Sequence, residues 1–478
     1  MSTEYDQIAY ISRPFRQTHP DRLATLAIVH GLTPPNPATA RVLDIGCGNG
    51  GNILPMAACL PDAHFFGFDL AATVIADAEV RRQRLGLNNV RLEALDVMEF
   101  PEDAGQFDYI IAHGFYSWVP DPARLAMWKL IEKHLSPHGV AYVSFNAYPG
   151  AMLRHAWRDA AAFHTRGITD INERKAKSVE MLRMMASATK RAGPWEAVVQ
   201  EMVKAVDTKG ENWVIHDDFG PFFQPYYFHQ IADSAGQHGL RYLSDASYYD
   251  MQPHEIVPDA KPILDQLAAQ SIELREQYYD FLELRAFRQL LLCRQDQPIA
   301  RPVDPARLQS LEFSTAANTA GSTANGVFAV HNPLTGIQAE IPAPYKRILD
   351  QIRAAWPNSV PFSAIFPSET NRAAIAQIVD NLWGGALIEA HAVPQRAGDG
   401  KADRPVVWHI ARDEAAQGLP VTTRLHTQTQ LDDVSAKLVA RLDGTASRSD
   451  LAAEFEELDE RLLWLGAMGL LDPTPSHS

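Results

Sequence analysis

Short apolar runs alternate with amphipathic stretches from Arg41 to about residue 150. RVLDI, HFFGFDL, NVRLEAL, FDYIIA and GVAYVSF have the length and the β-branched or aromatic content of buried strands. Helical periodicity falls between them, near 52–60, 71–85 and 121–135. This alternation predicts an α/β fold, a Rossmann-like doubly wound sheet with right-handed crossovers. Ahead of it, THPDRLATLAIVH reads as a helix over 18–30, with Thr18 as N-cap, Pro20 in the first turn and Gly31 past the end.

From about 152 to 298 the pattern is mostly helical. ERKAKSVEMLRMMASATKRA and QYYDFLELRAFRQLLLC both read as long amphipathic helices. Residues 314–326, STAANTAGSTANG, are small and polar and read as a linker or mobile loop. Two similar segments follow, each with an amphipathic helix, a turn, a second helix and a terminal GALIEA or GLLDP element, which predicts two small winged-helix-like modules. The divisions expected are a cofactor-binding domain over 1–160 that takes back part of 220–250, a helical region over 161–300, a linker plus first module over 301–395 and a second module over 396–478.

The chain has 478 residues, with 43 Lys and Arg against 58 Asp and Glu, a net charge of −15. That balance argues against a nucleic-acid groove, which needs clustered cations. Asp450, Glu454, Glu456, Glu457, Asp459 and Glu460 crowd the last module, so a protein contact is expected there. Cys47, Cys59 and Cys293 have no paired spacing and read as reduced thiols. MSTEYDQIAYISRPFRQ lacks the apolar core of a signal peptide, and no run approaches the ~18 apolar residues of a membrane span. A cytoplasmic protein without membrane insertion is expected.

The segment RVLDIGCGNGGN closes a strand and opens a helix. Through Gly46, Gly48 and Gly51 it matches the dinucleotide pattern, in which glycines bring a helix N-terminus to a pyrophosphate. S-adenosylmethionine carries no phosphate, but offers an ammonium, a ribose and an adenine. Asp44 could meet the ammonium, and the glycines allow backbone approach. Asp69, at the tip of the second strand, could accept both ribose hydroxyls. Asp96, at the end of the third, could accept from the adenine amine while the Val97 amide donates to a ring nitrogen. Acids at successive strand tips favour S-adenosylmethionine over a nicotinamide cofactor. The candidate cofactor set also includes Gly50, Asn49 and Asn52 in the loop, Leu70 after Asp69, His113, and Tyr10, which with Tyr5 precedes the first helix as a lid would.

With those residues in view, the chain resembles class I methyltransferases joined to a methyltransferase regulatory domain, the arrangement of bacterial protein-lysine methyltransferases that modify outer-membrane proteins. YDQIAYISRPFRQTHPDRLATLA, VLDIGCGNGGNILPMA, FDYIIAHGFYSWVP, GVAYVSFNAYPG, FFQPYYFHQIADSAGQHGLRYL and QYYDFLELRAFRQLLL carry the resemblance, from about residue 5 to 300. It implies a seven-stranded sheet, S-adenosyl-L-methionine as cofactor with S-adenosyl-L-homocysteine as product, no metal, and a lysine-bearing protein acceptor. Phe115, Phe145 and Ala147 depart from the family's pattern on the acceptor side.

The fourth and fifth strand ends, AHGFYSWVP and FNAYPG, then face the transferable methyl group. Tyr116, Trp118 and Tyr148 could wall an acceptor slot, with His113 and Asn146 as its polar members. Ring faces disfavour a charged lysine by burial yet attract the methylated cation. His113 or Tyr148 is the candidate proton route. WVIHDDF offers His216, Asp217 and Asp218, which read as helix-start or interdomain groups rather than metal ligands. The long helical insert near 168–205 points to a homodimer. Two other functions stay open: a small-molecule N- or O-methyltransferase, and a cofactor-binding scaffold without turnover.

Overall fold

A computed structural model describes residues 12–188, 193–209, 222–252, 258–322, 326–365 and 371–473. Tyr5, Tyr10 and the WVIHDDF segment lie outside the described residues. Helix α1 (Pro20–Val29) precedes five parallel strands, β1 (Arg41–Ile45), β2 (His64–Asp69), β3 (Val90–Ala94), β4 (Phe107–Ala112) and β5 (Leu135–Asn146). The crossovers are α2 (Ile53–Cys59), α3 (Ala72–Arg84) and α4 (Asp121–His134). Two later strands, β6 (Leu240–Asp245) and β7 (Phe287–Arg294), complete the expected seven-stranded sheet in the order β3-β2-β1-β4-β5-β7-β6. β7 is antiparallel to both β5 and β6. The strand order reverses at β1, which opens a crevice above the carboxyl ends of β1 and β4.

Four sequence expectations are corrected. His19, not Thr18, caps α1, accepting from the Asp21 amide at 3.2 Å; the Thr18 hydroxyl instead donates to the Phe15 carbonyl at 2.7 Å. The third strand ends at Ala94, and Asp96 caps a short 3-10 turn beyond it. QYYDFLELRAFRQLLLC is not one helix. Helix Ile272–Glu283 stops at Leu284, whose φ of 51° ends the spiral, and the chain turns into β7. Side-chain spacing fits either period here; burial of Leu290, Leu291 and Leu292 against both neighbouring strands decides for the strand. Residues 314–322 are no linker either. They supply strands Glu312–Ser314 and Asn318–Ser322, and Ser314, Thr315, Ala316 and Ala317 are buried because small side chains fit there. Thr315 Oγ1 donates to the Leu387 carbonyl at 2.6 Å, which satisfies a buried hydroxyl.

One apolar core runs from α1 and one sheet face directly into residues 308–390, through Leu311, Phe313, Leu349 and Trp383. Trp383 stacks on Tyr248 with ring centroids 4.1 Å apart. The opposite face packs α4 and helix Phe228–Gln237. Helices α5 (Ala151–His164), α6 (Ile171–Ala188) and α7 (Pro194–Lys209) form an arm with its own core, including Trp157, Leu182 and Val199. The last module closes around Leu438, Leu451, Leu462 and Leu465. Among the described residues, no helix is long and apolar enough to cross a membrane.

Behind β7 lies a buried ionic cluster. Arg288, fully buried, meets Asp245 at 2.6 Å, Asp280 at 2.9 Å and Glu276 at 3.0 Å. It ties helix Ile272–Glu283 to the sheet.

Candidate active site

The glycine loop leaves β1 with the Gly46 and Cys47 amides donating to the Phe68 carbonyl at 2.9 and 3.0 Å. Gly46 has φ 74°, and a Cβ there would lie 3.1 Å from the Phe115 ring, so both conformation and space require glycine. Asp44 is 3% exposed. Burial, opposed by a hydrogen bond with Asn52 and reinforced by Asp69, pushes its carboxyl up to about 7.

Asp69 is oriented by backbone. Its Oδ2 accepts from the Gly48 amide and its Oδ1 from the Ala71 amide, both at 3.0 Å. A carboxylate oxygen can accept more than one donor, which suits two vicinal hydroxyls. Leu70 beside it is 57% exposed and free to cover a flat ligand. Asp96 Oδ1 accepts from the Met98 amide at 2.9 Å, with buried Val97 next to it. The Leu95 amide donates to the Asp69 carbonyl at 2.9 Å, so the second and third tips are joined. Asn49 holds the Gly51 amide at 3.3 Å.

The chain from Ser12 to Thr18 forms a strap over this loop. A methyl group at Gly51 would overlap the Ser12 carbonyl oxygen. The Phe15 amide donates to Asn52 Oδ1 at 3.0 Å, and the Phe15 ring lies 3.9 Å from the His113 ring. His113 Nδ1 is 2.8 Å from the Tyr142 hydroxyl, which donates to Gln289 Oε1 at 2.8 Å. The His113 imidazole therefore donates from Nδ1, and burial followed by the Arg13 charge drives its pKa down to about 3. It is a neutral hydrogen-bonding group and a poor proton acceptor.

The aromatic candidates separate. Tyr116 turns into the core, where its hydroxyl accepts from Trp128 Nε1 at 3.2 Å and its ring meets Tyr226. Trp118 packs on Phe223 at 5.1 Å with Arg158 nearby. Asn146 is buried, its backbone N–H donating to Ser117 Oγ at 2.9 Å. Tyr148 stays at the end of β5, 5.2 Å from the Tyr227 ring, and burial raises its phenol pKa. Tyr227 continues to Phe281 at 6.0 Å and Phe281 to Tyr278 at 6.1 Å. Phe287, paired with Asn146 across β5 and β7, lies 6.1 Å from His113. Tyr278, Phe281 and Phe287 are 42%, 49% and 40% exposed, an apolar rim beside the strand ends. Sequence reasoning missed Tyr227, Tyr278, Phe281 and Phe287; the clustered rings of PYYFH and QYYDF were their signal. Among the described residues, no group of three His, Cys, Asp or Glu is placed to hold a metal.

Comparison with known proteins agrees with this geometry. Residues 42–139 match a methyltransferase domain, 210–294 a predicted methyltransferase regulatory domain, and 403–461 the C-terminal winged helix domain of PKMT. The uncharacterized protein RP789 of Rickettsia prowazekii is 33% identical over 305 residues, 63% of this chain, and the match spans only 54% of that protein. RP028 of the same organism is 31% identical over 240 residues, 50% of this chain and 96% of its own length. The structure of PKMT2 from Rickettsia typhi in complex with AdoHcy superposes with a TM-score of 0.84 at 24% identity, covering 97% of this chain and 99% of that one, and shows the same fold. The chain belongs to the class I methyltransferases that carry a methyltransferase regulatory domain.

Proposed function

We propose that the protein transfers methyl groups from S-adenosylmethionine to lysine side chains of a protein, with a bacterial outer-membrane or other surface protein as acceptor. The observation that carries this is the juxtaposition of two features: the strapped carboxyl ends of β1 and β2 with the turn after β3, bearing Asp44, Asp69 and Asp96, and an exposed aromatic rim from β5, β7 and the helix before β7. That the Rickettsia typhi PKMT2 binds AdoHcy on the same fold supports the cofactor.

The residues divide the work. Asp69 holds the ribose, Asp44 the ammonium, and Asp96 with Val97 the adenine. When bound, the cofactor supplies an electrophilic methyl on a sulfonium. Lysine must first lose a proton, which at neutral pH costs about 5 kcal/mol. His113 is too weak a base and the Tyr148 phenol keeps its proton, so the lysine proton leaves to water and these groups orient the amine. Rings of Tyr148, Tyr227 and Phe287 disfavour the ammonium by desolvation and accept the methylated cation on their faces. Positioning for in-line transfer then provides most of the acceleration. An exposed rim suits a macromolecular acceptor better than a small metabolite. The reading includes a cytoplasmic location and a dimer through the helical arm, supported by exposed Met152, Phe163 and Met184.

The test is incubation with isotope-labelled cofactor and purified bacterial surface proteins, followed by peptide mass spectrometry. Labelled lysines are expected; label confined to small metabolites, or absent, overturns the reading. Tyr227→Ala should raise the acceptor KM roughly tenfold, the effect of one lost aromatic contact, and leave cofactor affinity intact. Binding should also depend on pH. Asp44 must be ionised to meet the ammonium, and its free carboxyl sits at about 7. Complex formation therefore releases a proton at acid pH. Below about pH 7 the cofactor Kd should rise about tenfold per unit, and above it level off. Calorimetry from acid to alkaline pH in buffers of different ionisation enthalpy reads both effects.

A further inference from the structure

Asn52 is where three distant parts of the chain meet. Its Oδ1 accepts from the Phe15 amide at 3.0 Å and from His426 Nε2 at 2.9 Å, and its NH2 donates to Thr18 Oγ1 at 3.0 Å. Phe15 and Thr18 belong to the strap. His426 belongs to the stretch matched as a winged helix domain. An amide oxygen only accepts, so His426 must carry its hydrogen on Nε2. Burial, helped by His19 and Arg16, keeps the ring neutral. Its Nδ1 is then a bare acceptor, buried and without a partner among the described residues.

Two local costs coincide at this residue. A buried acceptor left unpaired costs about 1–3 kcal/mol. The backbone at His426 has φ 55°, a conformation that favours glycine. A side chain kept under both burdens, whose hydrogen bond goes to the helix that opens from the glycine loop, is held there by what it does to Asn52. The cavity of about 240 Å³ beside it does not offer another explanation. Arg16, Arg22, Arg396 and Arg424 line it, but Glu389, Glu312 and Asp472 pair with them and Asp21 adds a further negative charge, so no anion is called for.

We infer that His426 is a positioning residue for the cofactor: the C-terminal module completes the methyltransferase site by fixing the Asn52 amide, which pins the strap over the glycine loop. The inference rests on the methyltransferase reading above. Without His426, Asn52 Oδ1 keeps only the Phe15 amide as donor, and the side chain loses the contact that fixes it from the C-terminal side. The strap loosens while the sheet and its acids stay in place.

The test uses the full chain. His426→Gly removes the side chain and at the same time suits the positive φ, so the backbone is not penalised. His426→Gln returns an N–H donor. Calorimetry with S-adenosylhomocysteine should show His426→Gly about tenfold weaker or more, the effect of one lost buried hydrogen bond, with KM for the cofactor raised and kcat within about twofold. His426→Gln should recover most of the affinity, and His426→Gly should add little to Asn52→Ala, since both break one unit. Unchanged affinity in His426→Gly, a loss fully additive with Asn52→Ala, or a loss that His426→Gln does not restore would each overturn the inference. A wild-type chain that binds no S-adenosylhomocysteine would instead overturn the methyltransferase reading itself.

Discussion

Asp69→Ala is expected to weaken binding of S-adenosylhomocysteine by roughly 150- to 25,000-fold, the loss of two charge-assisted hydrogen bonds at about 1.5–3 kcal/mol each. The side chain does two things. In the proposed pose it accepts from the ribose hydroxyls, and it holds the Gly48 and Ala71 amides that shape the loop. Asp69→Asn separates them. It keeps one acceptor oxygen but sets its NH2 against one of those amides, so its affinity should fall between the wild type and Asp69→Ala. Calorimetry gives the affinities, and circular dichroism checks that the fold is retained. Retention of wild-type affinity in Asp69→Ala would remove the ribose assignment and the cofactor pose built on it.

Arg288→Met should be the most destabilising substitution in the catalytic half, by about 3–5 kcal/mol, because removing one partner strands the others in a low dielectric. Asp245, Glu276 and Asp280 would be left facing one another in the interior, with Arg285 and Arg275 at the edge. Asp280 already feels the burial, which pushes it up to about 7 despite Arg288 and Arg285. The sign of the pH effect follows. In the variant Asp280 is raised further above its unfolded value and Glu276 loses the charge that holds it down, so the folded state binds more protons than it does in the wild type. The variant's deficit should therefore be largest at alkaline pH and shrink as pH falls through the raised range. Urea melts at pH 8 and pH 5.5 measure it. A midpoint that does not move, or a deficit that grows in acid, contradicts the assignment.

The strand–helix alternation could be read because its strands are short, apolar and separated by amphipathic helices; Asp44 and Asp69 fall at strand ends for the same reason. The error over 284–294 has a different origin. FLELRAFRQLLLC satisfies a helical period as well as a buried run, and what selects the strand is pairing with β5, far earlier in the chain. Composition misled at 314–322, where small residues are small because they are enclosed. Tyr116 looked like a slot residue from its place after β4, but the short turn at Tyr116–Trp118 rotates it onto Trp128. The contact between Asn52 and His426 spans 374 positions, and no local pattern announces it.

The sheet's last strands arrive late, and this matters while the chain is being made. β5 is finished at Asn146, yet the partner on its outer side, β7, ends at Arg294. At roughly 5–20 residues per second a ribosome needs on the order of 10–30 s to supply it. Through that interval Val143 and Phe145 border an open row of backbone donors and acceptors, a template for pairing with a neighbouring nascent chain. Expression of this protein should thus draw on ribosome-associated chaperones, and a fragment cut at residue 160 should aggregate where the whole chain does not.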